Sequence, residues 1–331
     1  MGLLDRLRTM LLTSLLLIAA PASADSVVGN LNAVGSDTMA ELMLRWGEHL
    51  EQRWPGIRLQ LQASGSASAP PALIAGTTLL GPMSRPMLND ERRGFSRRYG
   101  YQPTALVVGQ DALAVVVHRG NPLTELSRTQ LDAIFSDTRR CGADAGISRW
   151  QMLGLAWPEG PIHLYGRNAV SGTHALFRRL ALCDGEFRVS VNASPGSAAV
   201  VAQVGEDPRG IGYAGLNHLT SDVRTLAIGD PGQAVSPSRQ TLRSGRYPMA
   251  RDLLLYVNHS PDKALPAAER AFLDLVLSPT GQAVVAELGF VGLPIPVLNR
   301  QRRAVGLDPL GAGFIAPAPS PVESRENVSP R

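Results

Sequence analysis

Arg167-Asn168-Ala169-Val170-Ser171-Gly172-Thr173-His174-Ala175-Leu176-Phe177 is the stretch on which the reading of this chain turns. It follows a short run, Pro161-Ile162-His163-Leu164-Tyr165, that reads as a strand. Ser-Gly-Thr then opens a helix, so strand, loop and helix succeed one another as they do in an α/β fold. A helix begun this way points its first backbone N–H groups outward, with the positive end of its dipole behind them. Such a terminus attracts anions. Gly172 allows close backbone approach, Ser171 and Thr173 add hydroxyls, and Arg167 offers a rigid fork matched to tetrahedral oxyanions.

The same rhythm extends on both sides. Residues 27–34 read as a strand, and Met39, Leu42, Met43, Trp46 and Leu50 then recur at helical spacing until Pro55-Gly56. Residues 57–62 alternate as a strand, 71–75 read as a short helix and 78–86 as a strand with a turn. Beyond them, 105–108 and 112–117 read as two β runs, 123–135 as helices, and 187–191 as a strand. A helix over 198–204, strands over 210–215 and 253–257, and helices over 267–277 and 281–288 complete the pattern. The fold class is α/β with mostly parallel sheets flanked by helices. Small-residue loops follow strands and open helices at Gly35-Ser36-Asp37-Thr38, Gly65-Ser66-Ala67-Ser68, Ser171-Gly172-Thr173 and Ser194-Pro195-Gly196-Ser197. In open α/β sheets ligands bind at such strand ends. Four converging loops rich in N–H and O–H groups would make a cleft of donors, which implies an anion.

The N-terminus reads as a targeting segment. Arg6 and Arg8 precede a short apolar run over 10–20, too short to span a bilayer, and Ala22-Ser23-Ala24 is an A-x-A cleavage site. Residues 1–24 are therefore expected to be a signal peptide cleaved near Ala24/Asp25, and the mature chain to be exported and soluble. Its formal net charge of +4 rests almost wholly on scattered arginines, Lys263 being the only lysine, so no basic face for nucleic acid is expected. In an oxidising compartment the two cysteines, Cys141 and Cys183, are expected to form one disulfide. Residues 312–331, rich in Pro, Ala and Ser, read as a disordered tail.

Competing chemistry finds little support. No G-x-S-x-G elbow, P-loop or H-E-x-x-H occurs. The string Gly210, Gly212, Gly215 lies inside a strand, where a dinucleotide fingerprint does not belong. His174 sits too close to Ser171 and Thr173 on one helix to make a nucleophile–base pair. The histidines show no metal-ligand spacing. No cofactor, no metal and no catalytic residue is expected.

With these residues in view, the chain resembles the periplasmic phosphate-binding proteins of ABC phosphate importers, in the type II solute-binding superfamily. Val34-Gly35-Ser36-Asp37-Thr38-Met39 is similar to that family's first phosphate loop, Gly65-Ser66-Ala67-Ser68 to its second and Gly81-Pro82-Met83-Ser84-Arg85-Pro86-Met87 to its third. Arg167 with Ser171-Gly172-Thr173 matches its R-x-x-x-S-G-T element. Residues 272–276, 278–282 and 289–294 resemble its C-terminal segment. The resemblance implies two lobes with a ligand cleft between them, one from 25–110 plus 247–311 and the other from 111–246, closing by hinge rotation. It implies a ligand set of Ser36, Thr38, Ser66, Ser84, Arg167, Ser171, Gly172 and Thr173. Implied partners are inorganic phosphate, or a related oxyanion, and an ABC permease in the inner membrane, with the receptor in the periplasm and monomeric. Two departures stand out. Better-known members carry an aspartate in the third loop that accepts the phosphate proton, where this chain has Ser84-Arg85, and often another two residues after the motif arginine, where it has Ala169. Asp37, the only acid inside the loops, either replaces the missing acceptor or caps its helix. A secreted phosphate-ester hydrolase and a non-transport phosphate sensor or surface protein on the same fold are the alternatives.

Overall fold

The computed structural model describes residues 27–157 and 159–311, so the signal peptide expected at 1–24 and the tail expected at 312–331 lie outside the described residues. The chain opens with β1 (Gly29–Val34), α1 (Ala40–Arg53), β2 (Ile57–Gln62), α2 (Ala69–Ala75), β3 (Leu80–Met83) and α3 (Asn89–Tyr99). Then come β4 (Thr104–His118), β5 (Glu125–Leu126), α4 (Arg128–Phe135), β6 (His163–Arg167), α5 (Gly172–Ala181), β7 (Val191–Ser194), α6 (Ser197–Glu206) and β8 (Gly210–Gly215). It ends with β9 (Val223–Thr225), β10 (Ala227–Ile228), α7 (Arg239–Arg243), β11 (Ala250–Val257), α8 (Ala267–Val276), α9 (Pro279–Glu287) and α10 (Ile295–Ala304).

The main sheet runs β2-β1-β3-β11-β4-β8-β6-β7, with β9 beside β4. Its flanks are parallel: β1 pairs with β2 and β3, and β6 with β7 and β8. Its middle is antiparallel. β11 runs against β3 and β4, and β4 runs against β8. β4 is one 15-residue strand where the sequence suggests two runs. Its first part pairs with β11, from Thr104↔Val257 to Ala112↔Ala250, and its last part pairs with β8, from Leu113↔Gly215 to Val117↔Ile211. A single strand therefore serves both halves of the sheet.

Apolar side chains gather accordingly. On one side, Leu42, Met43, Trp46 and Leu50 of α1 pack on Leu31, Ile57, Phe272, Leu273 and Val276. These are the stripe positions that helical spacing marks out, and the Trp46 indole N–H also donates to the Gly281 carbonyl at 2.9 Å. On the other side, Leu113, Val115 and Val117 of β4 pack on Phe135, Trp150, Leu176, Phe177 and Tyr213. Phe177 and Tyr213 stack with centroids 3.9 Å apart. Cys141 and Cys183 are joined in a disulfide, with Cα atoms 5.4 Å apart.

Other elements differ from the sequence reading as well. The strand expected at 187–191 begins only at Val191, because Val189 is fully exposed and anchors nothing. Of the region 123–135, the first part is the short β5, and Ser127 caps α4 by accepting from Gln130 N–H. The helices α3, α7 and α10 had no expectation at all.

Candidate functional site

Three of the four small-residue loops meet. Gly35 has no Cβ to hold off the Pro82 carbonyl, to which Ser36 N–H donates at 2.7 Å. Gly65 N–H donates to the Gly35 carbonyl at 2.8 Å, and Gly65 holds a φ of +110°, a conformation that favours glycine. Ser84 N–H donates to Ser66 Oγ at 3.0 Å, with the two hydroxyls 3.2 Å apart. These contacts stitch the loops after β1, β2 and β3 into one surface. The start of α5 meets it from the other half of the sheet. Ala67 N–H donates to the Val170 carbonyl at 3.1 Å, and the Thr38 and Thr173 hydroxyls lie 3.2 Å apart. Gly172 faces Ser66 and Ser84 so closely that a Cβ there would collide with both hydroxyls. Ser171 caps α5, accepting from Thr173 N–H at 3.1 Å. Ser36, Thr38, Ser66, Ser84, Arg167, Ser171, Gly172 and Thr173 are all buried.

The fourth loop does something different. The Arg167 side chain donates from Nε to the Ser194 carbonyl at 3.3 Å, from Nη1 to Ser197 Oγ at 3.0 Å, and from Nη2 to the Pro195 carbonyl at 2.7 Å. Nη2 also donates to Asp37 Oδ2 at 2.6 Å. Residues 194–197 thus supply acceptors that grip Arg167 where the sequence suggested donors. Of five guanidinium N–H groups, one on Nη1 is left. Behind the arginine, its backbone N–H donates to the Tyr213 hydroxyl at 3.1 Å, which ties the motif to the aromatic stack. Asp37 makes no capping bond. Its Oδ2 serves Arg167, and its Oδ1 has no partner.

The site also contains a pair that the loop reading missed. Arg251 on β11 donates from Nε and Nη2 to Asp111 Oδ2 on β4, at 2.9 and 2.5 Å. Its Nη1 donates to Thr173 Oγ1 at 2.8 Å. Both side chains are almost completely buried, and Asp111 Oδ1 has no partner. Nearby, burial holds the His218 imidazole below its ordinary pKa, Asp111 and Asp37 raising it, Arg251 and Arg167 lowering it. His174 is also held low, by burial first and then by Arg178 and Arg167, and its ring lies against Phe187. No group of His, Cys, Asp or Glu among the described residues is arranged to hold a metal ion. A cavity of about 920 Å³ lies away from these loops, lined in part by Val107, Leu293, Ile295 and Leu298.

Comparison with known proteins shows the family of the chain. Residues 20–280 match the family model of the PBP superfamily domain. The phosphate-binding protein PstS of Pseudomonas aeruginosa PAO1 is 46% identical over 288 residues, covering 86% of this chain and 89% of that protein. This chain belongs to the PstS family within the PBP superfamily. Solved structures share its fold. A putative phosphate ABC transporter substrate-binding protein from Clostridium perfringens, with bound phosphate, matches with a TM-score of 0.68 at 19% identity, over 80% of this chain and 100% of that one. An ABC-type phosphate transport receptor from Vibrio cholerae matches with a TM-score of 0.64 at 20% identity, over 80% and 100%. These relatives are binding proteins by name, not enzymes.

Proposed function

We propose that this chain is an exported receptor that captures inorganic phosphate in the cleft between two lobes and delivers it to an ABC importer. The observation that carries the reading is the meeting of three strand-end loops with the start of α5. There the hydroxyls of Ser36, Thr38, Ser66, Ser84, Ser171 and Thr173, the N-terminus of α5 and the Arg167 guanidinium gather in one buried place. These side chains are buried, their hydroxyls can donate, and the start of α5 lies against them, which is the chemistry of an oxyanion site. The kinship with named phosphate-binding proteins supports phosphate as the anion.

The lobes in this reading are residues 25–110 plus 247–311 and residues 111–246, crossed near Asp111 and Tyr247. The contacts of Gly172, Thr173, Val170 and Arg167 with the opposite loops are those of the closed form, and binding favours that form by hinge rotation. The receptor works as a monomer in the periplasm, after its signal peptide is cleaved near Ala24/Asp25, and meets a permease in the inner membrane. The relatives it resembles are named as binding proteins, and the reading includes no bond-breaking step. Calorimetric titration with phosphate, sulfate, molybdate and arsenate tests the reading. Tight phosphate binding supports it, and absence of phosphate binding overturns it.

A further inference from the structure

Arg251 and Asp111 face the anion loops, because Arg251 Nη1 reaches Thr173 Oγ1 at 2.8 Å while its Nε holds Asp111. Successive side chains of a strand point to opposite faces, so their neighbours Asp252 and Gln110 face the other way. These two are partners in the register of β11 and β4, and Gln110 Nε2 donates to Asp252 Oδ1 at 3.1 Å. Both line the cavity of about 920 Å³. The cavity therefore lies behind the two strands that cross between the lobes, on the face turned away from the loops. Its walls come from both sides of the crossing. Ala283 and Ala286 of α9 and Leu298 of α10 belong to 247–311, while Arg243 at the end of α7 belongs to 111–246. α7 also reaches across directly, since Arg239 Nη2 donates to the Ala286 carbonyl at 2.9 Å. Arg239 and Arg243 are about one helical turn apart, so α7 turns one edge toward this gap.

We infer that this cavity is the counterpart of the ligand cleft, and that its free volume sets the affinity for the anion from the far side of the hinge. The inference rests on the two-lobed phosphate reading above. β4 and β11 are the pivot. Turning the lobes apart in front of them swings α7 toward α9 and α10 behind them, and the cavity must shrink. Close-packed protein yields little, whereas an empty space of this size can be given up. A side chain that fills it would meet α7 before the cleft had opened. The closed form would then gain population with no change at the anion loops. The apparent Kd is the intrinsic one divided by the fraction of protein in the binding-competent form. Filling the cavity should therefore tighten binding, although the added atoms never touch the ligand. Ala283 is the position to fill. It is half-buried at the cavity wall, one turn of α9 before Ala286, and it leaves the Arg239 bond alone.

The test compares wild type, Ala283→Leu and Ala283→Trp as the mature protein. Calorimetric titration with phosphate gives the Kd, and small-angle scattering with and without phosphate gives the degree of closure. The Kd should fall with side-chain size, by about threefold for leucine and about tenfold or more for tryptophan. Without phosphate the tryptophan variant should be more compact than wild type, and at saturating phosphate the two should coincide. Where the tryptophan variant does not fold, Ala283→Cys alkylated after folding with groups of rising size takes its place, Cys141 and Cys183 being joined to each other. A folded, filled variant whose Kd stays within about threefold of wild type, or rises, overturns the inference and leaves the phosphate reading intact. So does tighter binding by a variant whose unliganded particle is as open as wild type. A wild type that binds no phosphate removes the functional reading, and unliganded scattering of the same variants still decides the inference: compaction supports it, and an unchanged particle overturns it.

Discussion

Gly172→Ala is the smallest change that tests how the start of α5 meets the loops of the other half. The added methyl would collide with Ser66 Oγ and Ser84 Oγ and lie 2.9 Å from Ser66 Cβ. Ser66 cannot simply rotate away, because its hydroxyl accepts the Ser84 N–H at 3.0 Å. The half that contains α5 loses nothing by itself, since Gly172 is the first residue of the helix and alanine is the better helix former. The penalty therefore falls on the approach of the two halves. Forcing one methyl into a packed site costs about 1 to 3 kcal/mol. At 1.4 kcal/mol per factor of ten, the Kd for phosphate should rise about 5- to 150-fold. Calorimetric titration measures that rise. Thermal unfolding without ligand should be unchanged or slightly higher, and small-angle scattering at saturating phosphate should show a less compact particle than wild type. An alanine variant that binds phosphate within about threefold of wild type, roughly 0.7 kcal/mol, would refute the proposed closure.

Arg167→Ala should cost stability as well as affinity. It strips a donor from Ser194, Pro195, Ser197 and Asp37 at once, and breaking a buried pair costs about 3 to 5 kcal/mol. Urea denaturation reads this, and wild-type stability in the variant would contradict the network described. Removing the disulfide by Cys141→Ala with Cys183→Ala opens a loop of sequence separation 42, so the unfolding free energy should fall by about 4 kcal/mol under oxidising conditions. An unmoved denaturation midpoint would argue against it. His174 and His218 are both held low by burial, so the folded chain resists protonating them. Their contribution is present above the unfolded value near 6.5 and is lost as pH falls below it. The pH dependence of the urea midpoint below about pH 6.5 should flatten in His174→Gln and His218→Gln, and a curve parallel to wild type would show that neither histidine is responsible.

Much of the fold was legible because its signals are local. The alternation in β2 and the stripe on α1 need only neighbouring residues. β4 was read as two runs because Gly109-Gln110-Asp111 interrupts its apolar pattern. Pairing with β11 and the bond from Gln110 N–H to the Val291 carbonyl carry the strand through. α3 escaped notice because it has almost no apolar stripe. Phe95 alone is buried, and the helix is held instead by Glu91, which accepts from Leu88 N–H at its start and pairs with Arg85.

The site divides along the same line. Ser36, Thr38, Ser66, Ser171, Gly172 and Thr173 stand at strand-to-helix junctions, where small and hydroxylic residues are visible in sequence. Arg251 and Asp111 are separated by 140 residues, and only the pairing of β11 with β4 brings them together. One clue was present. By strand alternation Arg251 shares a face with Leu253 and Leu255, both buried, and a charge on a core face must find a partner. Naming that partner required the sheet order. The Arg167 fork shows the converse limit, since its motif was plain but its bonding was not. A guanidinium this buried cannot stay unsatisfied, so Ser194, Pro195, Ser197 and Asp37 occupy four of its N–H groups. In the proposed site an incoming anion would find one free donor on Arg167, or would have to displace Asp37 to gain a second. The affinity of the cleft should accordingly lean on the Thr38, Ser66, Ser84 and Thr173 hydroxyls and on the N-terminus of α5 more than the arginine motif alone suggests.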